Sequence, residues 1–481
     1  MGRKRKTTSQ LPARRPQTRG WSLCIVSSAV VVAGFLIVLL RELWVSFLLL
    51  HPHVPVDIPS PVSHRYRPLT VPFELPPIRN FPKHPVQEVD SEKLNAVTEA
   101  FEKSWSAYRR NAWGKDEYHP LSKSGSNLLL RDDSPIGYTI VDALDSLIIM
   151  GLNDQYIEAR NWIRDVLSWD IDGRLNVFET TIRIMGGLLS ASSLILDPPG
   201  NMLSPSLEDS ELFLRRAKEL ADRLLPAFDT PTGIPKREIN LLTGESFFDT
   251  DNGNSSSLAE ATTVQLEFKY LAQRTRNYTY WEIAERPMRV AHMATEASGL
   301  GILPIFLDPV RGRFYLSEFR LGSRGDSYYE YLVKQYLLTN RTEQVFRDMY
   351  EFAFDDIKSK MLMSNPGVSP PLVHTLEIYP NKLSGMSPIW AARTKQDHLV
   401  CFLGGTMLLS ATEFENGTLY PPKESYSPTE AAYEDWRVGH ELIRSCMNTY
   451  TESATGLGAE IVFFKADHST AASGRPWNIK R

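Results

Sequence analysis

The sequence predicts an all-α fold, a toroid of helical hairpins set behind an N-terminal membrane anchor, and three observations carry that expectation. Five segments open with polar or acidic residues and continue as nearly unbroken apolar helix. Most of the intervals between them are long enough to hold an outer helix and its loops, as repeated hairpins require. An uncharged run of twenty residues, Trp21 to Leu40, precedes them all.

The chain has 481 residues, 42% of them hydrophobic, with a formal net charge of −4 and 3 cysteines. That is apolar material for one large core or for two or three ordinary domains. It excludes a disordered chain, which would be less apolar and more charged, and a disulfide-built miniature, which would need more cysteine. Residues 1–20 hold seven basic side chains and no acid, so the rest carries −11. Because this basic tail abuts an apolar run and no basic patch interleaved with aromatics follows, it reads as a membrane-orienting signal and no nucleic-acid partner is expected.

At 1.5 Å per residue, the helix of residues 21–40 reaches across roughly 30 Å of hydrocarbon. Arg41 and Glu42 end the run where a cleaved leader would show a shorter apolar stretch and small residues. The positive-inside rule leaves the N-terminus cytosolic, giving a type II signal anchor with a lumenal domain. Residues 41–88 form a stalk: ten of the chain's 32 prolines fall between residues 51 and 86 and force extended backbone. Four Asn-x-Ser/Thr sequons follow, at Asn254, Asn277, Asn340 and Asn416, as a glycosylated lumenal domain requires.

The main domain runs from 89 to 464. Asp90 and Ser91 can cap a helix whose apolar residues, Leu94, Val97, Phe101, Trp105 and Tyr108, make one buried stripe. The five segments then begin at Gly137, Asn176, Ala259, Arg324 and Asp397. Their polar leaders, Asp142, Glu179, Glu260, Asp326 and His398, are 37, 81, 66 and 72 residues apart. Inner helices buried all round explain why each segment is apolar after its first turn, and their hydrophilic starts would gather at one mouth. Strand signals are confined to short pieces such as those at Gly301 and Arg313, so an alternating parallel α/β fold is disfavoured.

Helical spacing puts Glu179 and Arg183 on one face, likewise Asp326 and Glu330, while Asp142 and Asp145 are three apart. Singly, each is more often an ordinary ion pair or cap. Together they imply carboxylates converging in one cavity, with Arg183, Arg324 and His398 moderating the repulsion. Such a cavity suits glycoside hydrolysis, in which one carboxylic acid protonates the leaving oxygen and a second carboxylate activates water or attacks carbon. It also suits a hard, oxygen-liganded cation. Serine hydrolase, zinc protease, nucleotide and dithiol chemistries lack their starting motifs: there is no GxSxG, HExxH, phosphate loop or CxxC.

Seven strings carry a resemblance: AWGKDE at Ala112, YTIVDALDSLIIMGL at Tyr138, NVFETTIRIMGGLLSA at Asn176, LEFKYLA at Leu266, RGDSYYEYLVKQ at Arg324, DHLVCFL at Asp397 and TGLGAEIV at Thr455. In this order they resemble glycoside hydrolase family 47, the class I α-1,2-mannosidases that trim high-mannose N-glycans in the endoplasmic reticulum and Golgi. The resemblance implies an (α/α)7 barrel and an inverting, Ca²⁺-dependent reaction. By position it implies that Glu179 is the general acid, acting through a water, and Asp326 a second catalytic carboxylate. Asp142, Arg183, Glu260, Arg324, Glu330, His398 and Glu460 would line the sugar and cation pocket. Cys401 and Cys446 match a disulfide of the glycan-processing branch, although two cysteines 45 apart also read as buried thiols.

Residues 465–481 depart from that pattern. The family continues into a Leu-Arg-Pro-Glu motif bearing the probable base, and later into a Thr that binds Ca²⁺ directly. Here Arg475 and Pro476 mimic the start of the first motif, with Trp477 in place of its Glu. The expectation is therefore a barrel lacking its last helices and no metal ligand within this chain. The alternative is an inactive, mannosidase-like glycan-binding or quality-control protein, or a truncated gene product. A lumenal domain predicts that protein made in a eukaryotic secretory pathway loses apparent mass on enzymatic removal of N-glycans. An unchanged mass would count against that expectation.

Overall fold

The computed structural model describes residues 89–129, 134–198, 205–365, 368–384, 387–414, 430–465 and 475–479. The basic tail, the anchor, the stalk, Asn416 and residues 466–474 lie outside them, and no helix among the described residues is long and apolar enough to cross a membrane.

Helix α1 (Ser91–Ala112) is capped as its sequence asks, the Asp90 carboxylate accepting the Lys93 N–H at 3.1 Å. Its apolar stripe is only partly buried. Trp105 and Tyr108 reach the core, whereas Leu94 and Val97 stay 53% and 57% exposed. The first turns of α1 run past the body that its last turns pack against.

Five hairpins follow. Inner α2 (Tyr138–Asp142) and α3 (Leu144–Ile149) precede outer α4 (Asn153–Asp165). Inner α5 (Val177–Glu179) runs through a π-helical stretch, Thr180–Met185, into α6 (Gly186–Leu196) and is backed by outer α7 (Leu207–Leu224). The third hairpin joins inner α8 (Leu258–Thr262) and α9 (Gln265–Thr275) to outer α10 (Tyr278–Ser298). The last two pair α11 (Asp326–Leu338) with α12 (Gln344–Asp356) and α13 (Phe402–Phe414) with α14 (Glu430–Thr451). Each inner helix packs on the next along the chain, α3 on α6, α6 on α9, α9 on α11 and α11 on α13. The inner helices thus form a continuous wall, backed by amphipathic outer helices. Backbones approach closely in that wall: a Cβ on Gly187 would lie 2.5 Å from the Val141 carbonyl oxygen, so only glycine lets α6 pack against α2.

Three small antiparallel sheets feed inner helices. Arg174–Asn176 pairs with Glu238–Asn240, itself paired with Ser246–Phe247, and leads into α5. Ser256–Ser257 pairs with Phe306–Asp308, which pairs with Arg313–Phe314, and leads into α8. Lys395–Asp397 pairs with Ile461–Phe464, which pairs with Trp477–Ile479, and leads through a 3₁₀ turn, His398–Cys401, into α13. Strands near Gly301 and Arg313 were expected. The long hairpin of Glu377–Ser384 with Ser387–Arg393 was not, and every described strand pair is antiparallel.

Trp477 has a structural place. Its side chain is wholly buried in an apolar cluster with Leu372, Val462 and Phe464, and its Nε1–H donates to Asn448 Oδ1 at 2.9 Å. Position 477 therefore belongs to a packed strand, where a carboxylate would be shut off from water. Cys401 and Cys446 form the disulfide, with Cα atoms 5.9 Å apart, joining the 3₁₀ turn before α13 to α14. Asn254 is exposed, while Asn277 and Asn340 are half-buried.

A buried cation ties the third hairpin to the fourth. The Lys269 ammonium on α9, with no solvent exposure of its side chain, pairs with Glu285 on α10 and with Glu343 at 2.8 Å. It also lies 4.8 Å and 4.4 Å from the ring centroids of Trp281 and Phe346. Removing one partner of a buried ion cluster strands the others. Lys269→Met is expected to destabilise the protein by about 3–5 kcal/mol in denaturant titration, and a loss below about 1 kcal/mol would contradict this arrangement.

Candidate active site

The sheets and helix starts bring most of the polar leaders together. Asn176 ends a strand, and its Oδ1 accepts the Glu179 N–H at 2.8 Å, which caps α5 and fixes where the Glu179 side chain leaves the helix. Arg183 lies one turn on, and its Nε donates to Glu179 Oε2 at 2.7 Å. The π-helical stretch supplies the wider turn between Glu179 and α6, a feature common at functional sites. Arg183 Nη1 reaches Asp142 Oδ2 on α2 at 3.4 Å, and the Tyr138 hydroxyl donates to Glu179 Oε2 at 3.3 Å. Two helices thus present two residues each, one turn apart, in one hydrogen-bonded group. The side chains of Asp142, Glu179 and Arg183 stay 41%, 39% and 42% exposed, so the group faces open space.

A second run of polar contacts starts at Glu260, the leader of α8. Its Oε1 accepts from Asn176 Nδ2 at 3.1 Å and its Oε2 from Ser257 Oγ at 3.0 Å. Arg237 Nε lies 3.9 Å from Glu260, and Arg237 Nη1 is 3.1 Å from Asp249, a carboxylate only 4% exposed. Asp249 is in turn 3.9 Å from Arg324, whose guanidinium sits 5.1 Å from the Phe306 ring centroid. Arg324 adopts a positive φ of 76°, and its carbonyl accepts the Ala259 N–H at 2.8 Å, locking this turn to α8.

Asp326 then opens α11. Burial pushes its carboxyl up to about 6, the Ser327 N–H at 2.8 Å opposes that, and the neighbouring charges of Glu330 and Asp397 add to it. Glu330 itself pairs with Lys334 one turn on. Asp397 pairs with Lys395 at 2.6 Å, and Lys395 with Glu377 at 2.7 Å. Partial burial also raises the Asp142 carboxyl, against the pull of Arg183. Deeper in the wall, burial pushes Glu267 on α9 up to about 7; its Oε1 accepts from the Tyr331 hydroxyl at 3.0 Å, and its Oε2 has no hydrogen-bond partner among the described residues.

Not every expected residue converges. Asp145 lies beyond the break at Ala143 that separates α2 from α3, and it accepts from Ser190 Oγ at 2.8 Å instead of joining the Glu179 group. His398 Nε2 is hydrogen-bonded to the Tyr450 hydroxyl on α14, and Glu460 meets His398 through its backbone carbonyl at 2.8 Å while its own side chain is exposed. Tyr138, Asn176, Arg237, Asp249 and Asp397 were not singled out from sequence. Asn176 had a legible signal, an Asn three residues before a Glu at the start of an apolar run, which is a capping-box spacing. Among the described residues no three His, Cys, Asp or Glu side chains converge to hold a metal, so a calcium ion would need further donors.

Hairpins of α-helix with paired carboxylates and arginines gathered at the starts of the inner helices define the class: an α/α-barrel protein with an acidic, oxygen-rich mouth. Residues 100–480 match the family described as Glycosyl hydrolase family 47, and the chain belongs to that family. It is 38% identical over 374 residues to a mannosyl-oligosaccharide 1,2-alpha-mannosidase of Candida albicans, covering 78% of this chain and 61% of the relative. It is 38% identical over 387 residues to an endoplasmic reticulum mannosyl-oligosaccharide 1,2-alpha-mannosidase of Saccharomyces cerevisiae (78% and 67%). Against the human protein of that same description, identity is 33% over 375 residues (77% and 47%). The chain thus spans about half to two thirds of the length of these relatives. The fold is shared with an alpha-1,2-mannosidase from Trichoderma reesei, at a TM-score of 0.63 and 24% identity over 78% of this chain and 71% of that one.

The raised Asp326 carboxyl has a consequence for stability. A carboxyl that binds its proton more tightly when folded favours folding below its unfolded pKa of 3.8, and that contribution is lost as pH rises through about 6. A rise of about two units corresponds to about 3 kcal/mol at most. Asp326→Asn is expected to be more stable than the parent at pH 8, by up to about 3 kcal/mol, with the gain vanishing below pH ~4. Thermal melts of both proteins across that range check the sign, and a variant less stable at pH 8 would refute it.

Proposed function

We propose that the protein is a mannosyl-oligosaccharide 1,2-α-mannosidase that removes α-1,2-linked mannose from high-mannose N-glycans. The observation that carries this is the Glu179 group: a half-exposed carboxyl at an inner-helix start, one oxygen held by Arg183 and Tyr138, in a chain 38% identical to relatives named for that activity. Glu179 would act as the general acid that protonates the departing glycosidic oxygen. Asp326, half-buried and charge-crowded, would be the second carboxylate of the pair that glycoside hydrolysis needs. Arg183 holds the Glu179 carboxyl in place and offsets the charge of Asp142.

Relatives named for the endoplasmic reticulum support a lumenal location there, reached through the type II anchor expected at residues 21–40. The calcium requirement implied by the family resemblance is read by running the assay with and without chelator. The test is release of free mannose from an N-glycan bearing terminal α-1,2-linked mannose, by the full protein and by Glu179→Gln. Activity of the parent with a loss of roughly 10²- to 10⁴-fold in the variant is expected. Binding of the glycan without turnover would favour the quality-control reading instead, and neither binding nor turnover would refute both.

A further inference from the structure

We infer that Tyr138 is a positioning residue for the general acid, holding one oxygen of Glu179 so that the other is free to carry the transferable proton. The inference rests on the mannosidase reading and deepens it. Both donors that reach the Glu179 carboxyl converge on Oε2, Arg183 Nε at 2.7 Å and the Tyr138 hydroxyl at 3.3 Å. Among the described residues none donates to Oε1. A proton on Oε2 would have to displace two donors, whereas a proton on Oε1 displaces none. Arg183 alone, through a single Nε contact, leaves the carboxyl free to rotate about its terminal torsion. A second donor from a different helix removes that freedom.

Tyr138 suits the task for three reasons. It comes from α2, across the wall from α5, so the contact reaches Glu179 from a different inner helix than Arg183 does. Its ring lies with its centroid 5.6 Å from the Arg183 guanidinium carbon, so the same side chain steadies the other donor. Half-burial and the neighbouring Glu179 charge raise the phenol above its ordinary range, so it stays protonated and remains a donor throughout the working range of a secretory-pathway enzyme.

The backbone beneath Tyr138 is held by a carboxylate that never meets the cavity. Asp116 is 1% exposed, and its Oδ1 accepts the N–H groups of Ile136, Gly137 and Tyr138 at 3.0, 3.0 and 3.1 Å. Its Oδ2 accepts from Leu128 N–H at 3.2 Å, and its own carbonyl accepts from Thr139 Oγ1 at 2.6 Å. A buried carboxylate satisfied by four backbone donors sets where α2 begins, and so where Tyr138 and Asp142 face Glu179.

The experiment uses the full protein and the α-1,2-mannose-bearing N-glycan. Tyr138→Phe keeps the ring and loses only the donor, so the fold is retained. It is expected to lower kcat about 10-fold with KM within about twofold and an unchanged melting temperature. Introduced into Glu179→Gln, the same change is expected to cost nothing further, because Tyr138 acts only through that carboxyl. A merely structural Tyr138 would lower activity by the same factor in both backgrounds. Asp116→Asn is expected to reproduce a smaller kcat loss, together with a lower melting temperature. Full activity of Tyr138→Phe, or equal losses in the two backgrounds, would overturn the inference while leaving the mannosidase reading standing. A parent protein that releases no mannose would sink both.

Discussion

An inner helix that meets neighbours on every side has no solvent-facing stripe on which to carry charge, and this constraint organises the rest of the molecule. α6, α9, α11 and α13 pack in succession, with outer helices behind them. A polar side chain along their length must find a partner in the wall, as Lys269 does with two glutamates and two aromatic rings. At the first turn the demand relaxes, because the backbone N–H groups there have no partners within the helix and the dipole favours negative charge. Carboxylates therefore collect at inner-helix starts, and since three of these starts are fed by sheets of matching design, they collect together.

Once gathered, the carboxylates depend on one another. Asn176 is both cap for Glu179 and donor to Glu260; Asp249 lies between Arg237 and Arg324; Asp397 bears on Asp326 while being neutralised by Lys395. Such linkage makes the site sensitive to single substitutions well away from the residues that would touch a sugar. It also carries a cost, since desolvated carboxyls such as Asp326 and Glu267 keep their protons to a higher pH than they would in water. Sites built this way trade stability for chemistry.

Much of this architecture was legible in the sequence, and for a definite reason. Apolar runs with polar leaders are unambiguous signs of buried helices, so each of the five apolar segments turns helical within a few residues of where the patterning puts it, and Glu179 with Arg183 follows from helical spacing alone. Helix α1 shows the limit: its stripe continues into turns with nothing among the described residues to pack against, and periodicity does not know where the body ends. The three sheets were nearly invisible, because strands of two to four residues have no room for alternation. Trp477 could be compared with a motif by eye, but whether it faces a cavity or a core depends on its pairing with Phe464 across a sheet. Tyr138 meets Glu179 from 41 residues away and Asp249 meets Arg324 from 75, and no local pattern reports such contacts.

The π-helical stretch Thr180–Met185 also sets a rotational phase. In regular α-helix each residue turns the chain by about 100°, so one residue more or fewer between Glu179 and α6 would swing the carboxyl about a quarter-turn around the helix axis. The wall fixes α6 by its contacts with α3 and α9, and the strand ending at Asn176 fixes the other end. Between these two anchors the wide turn takes up the difference, as a vernier does between two scales. Chains of this family are therefore expected to tolerate changes of side chain within the stretch far more readily than changes of length.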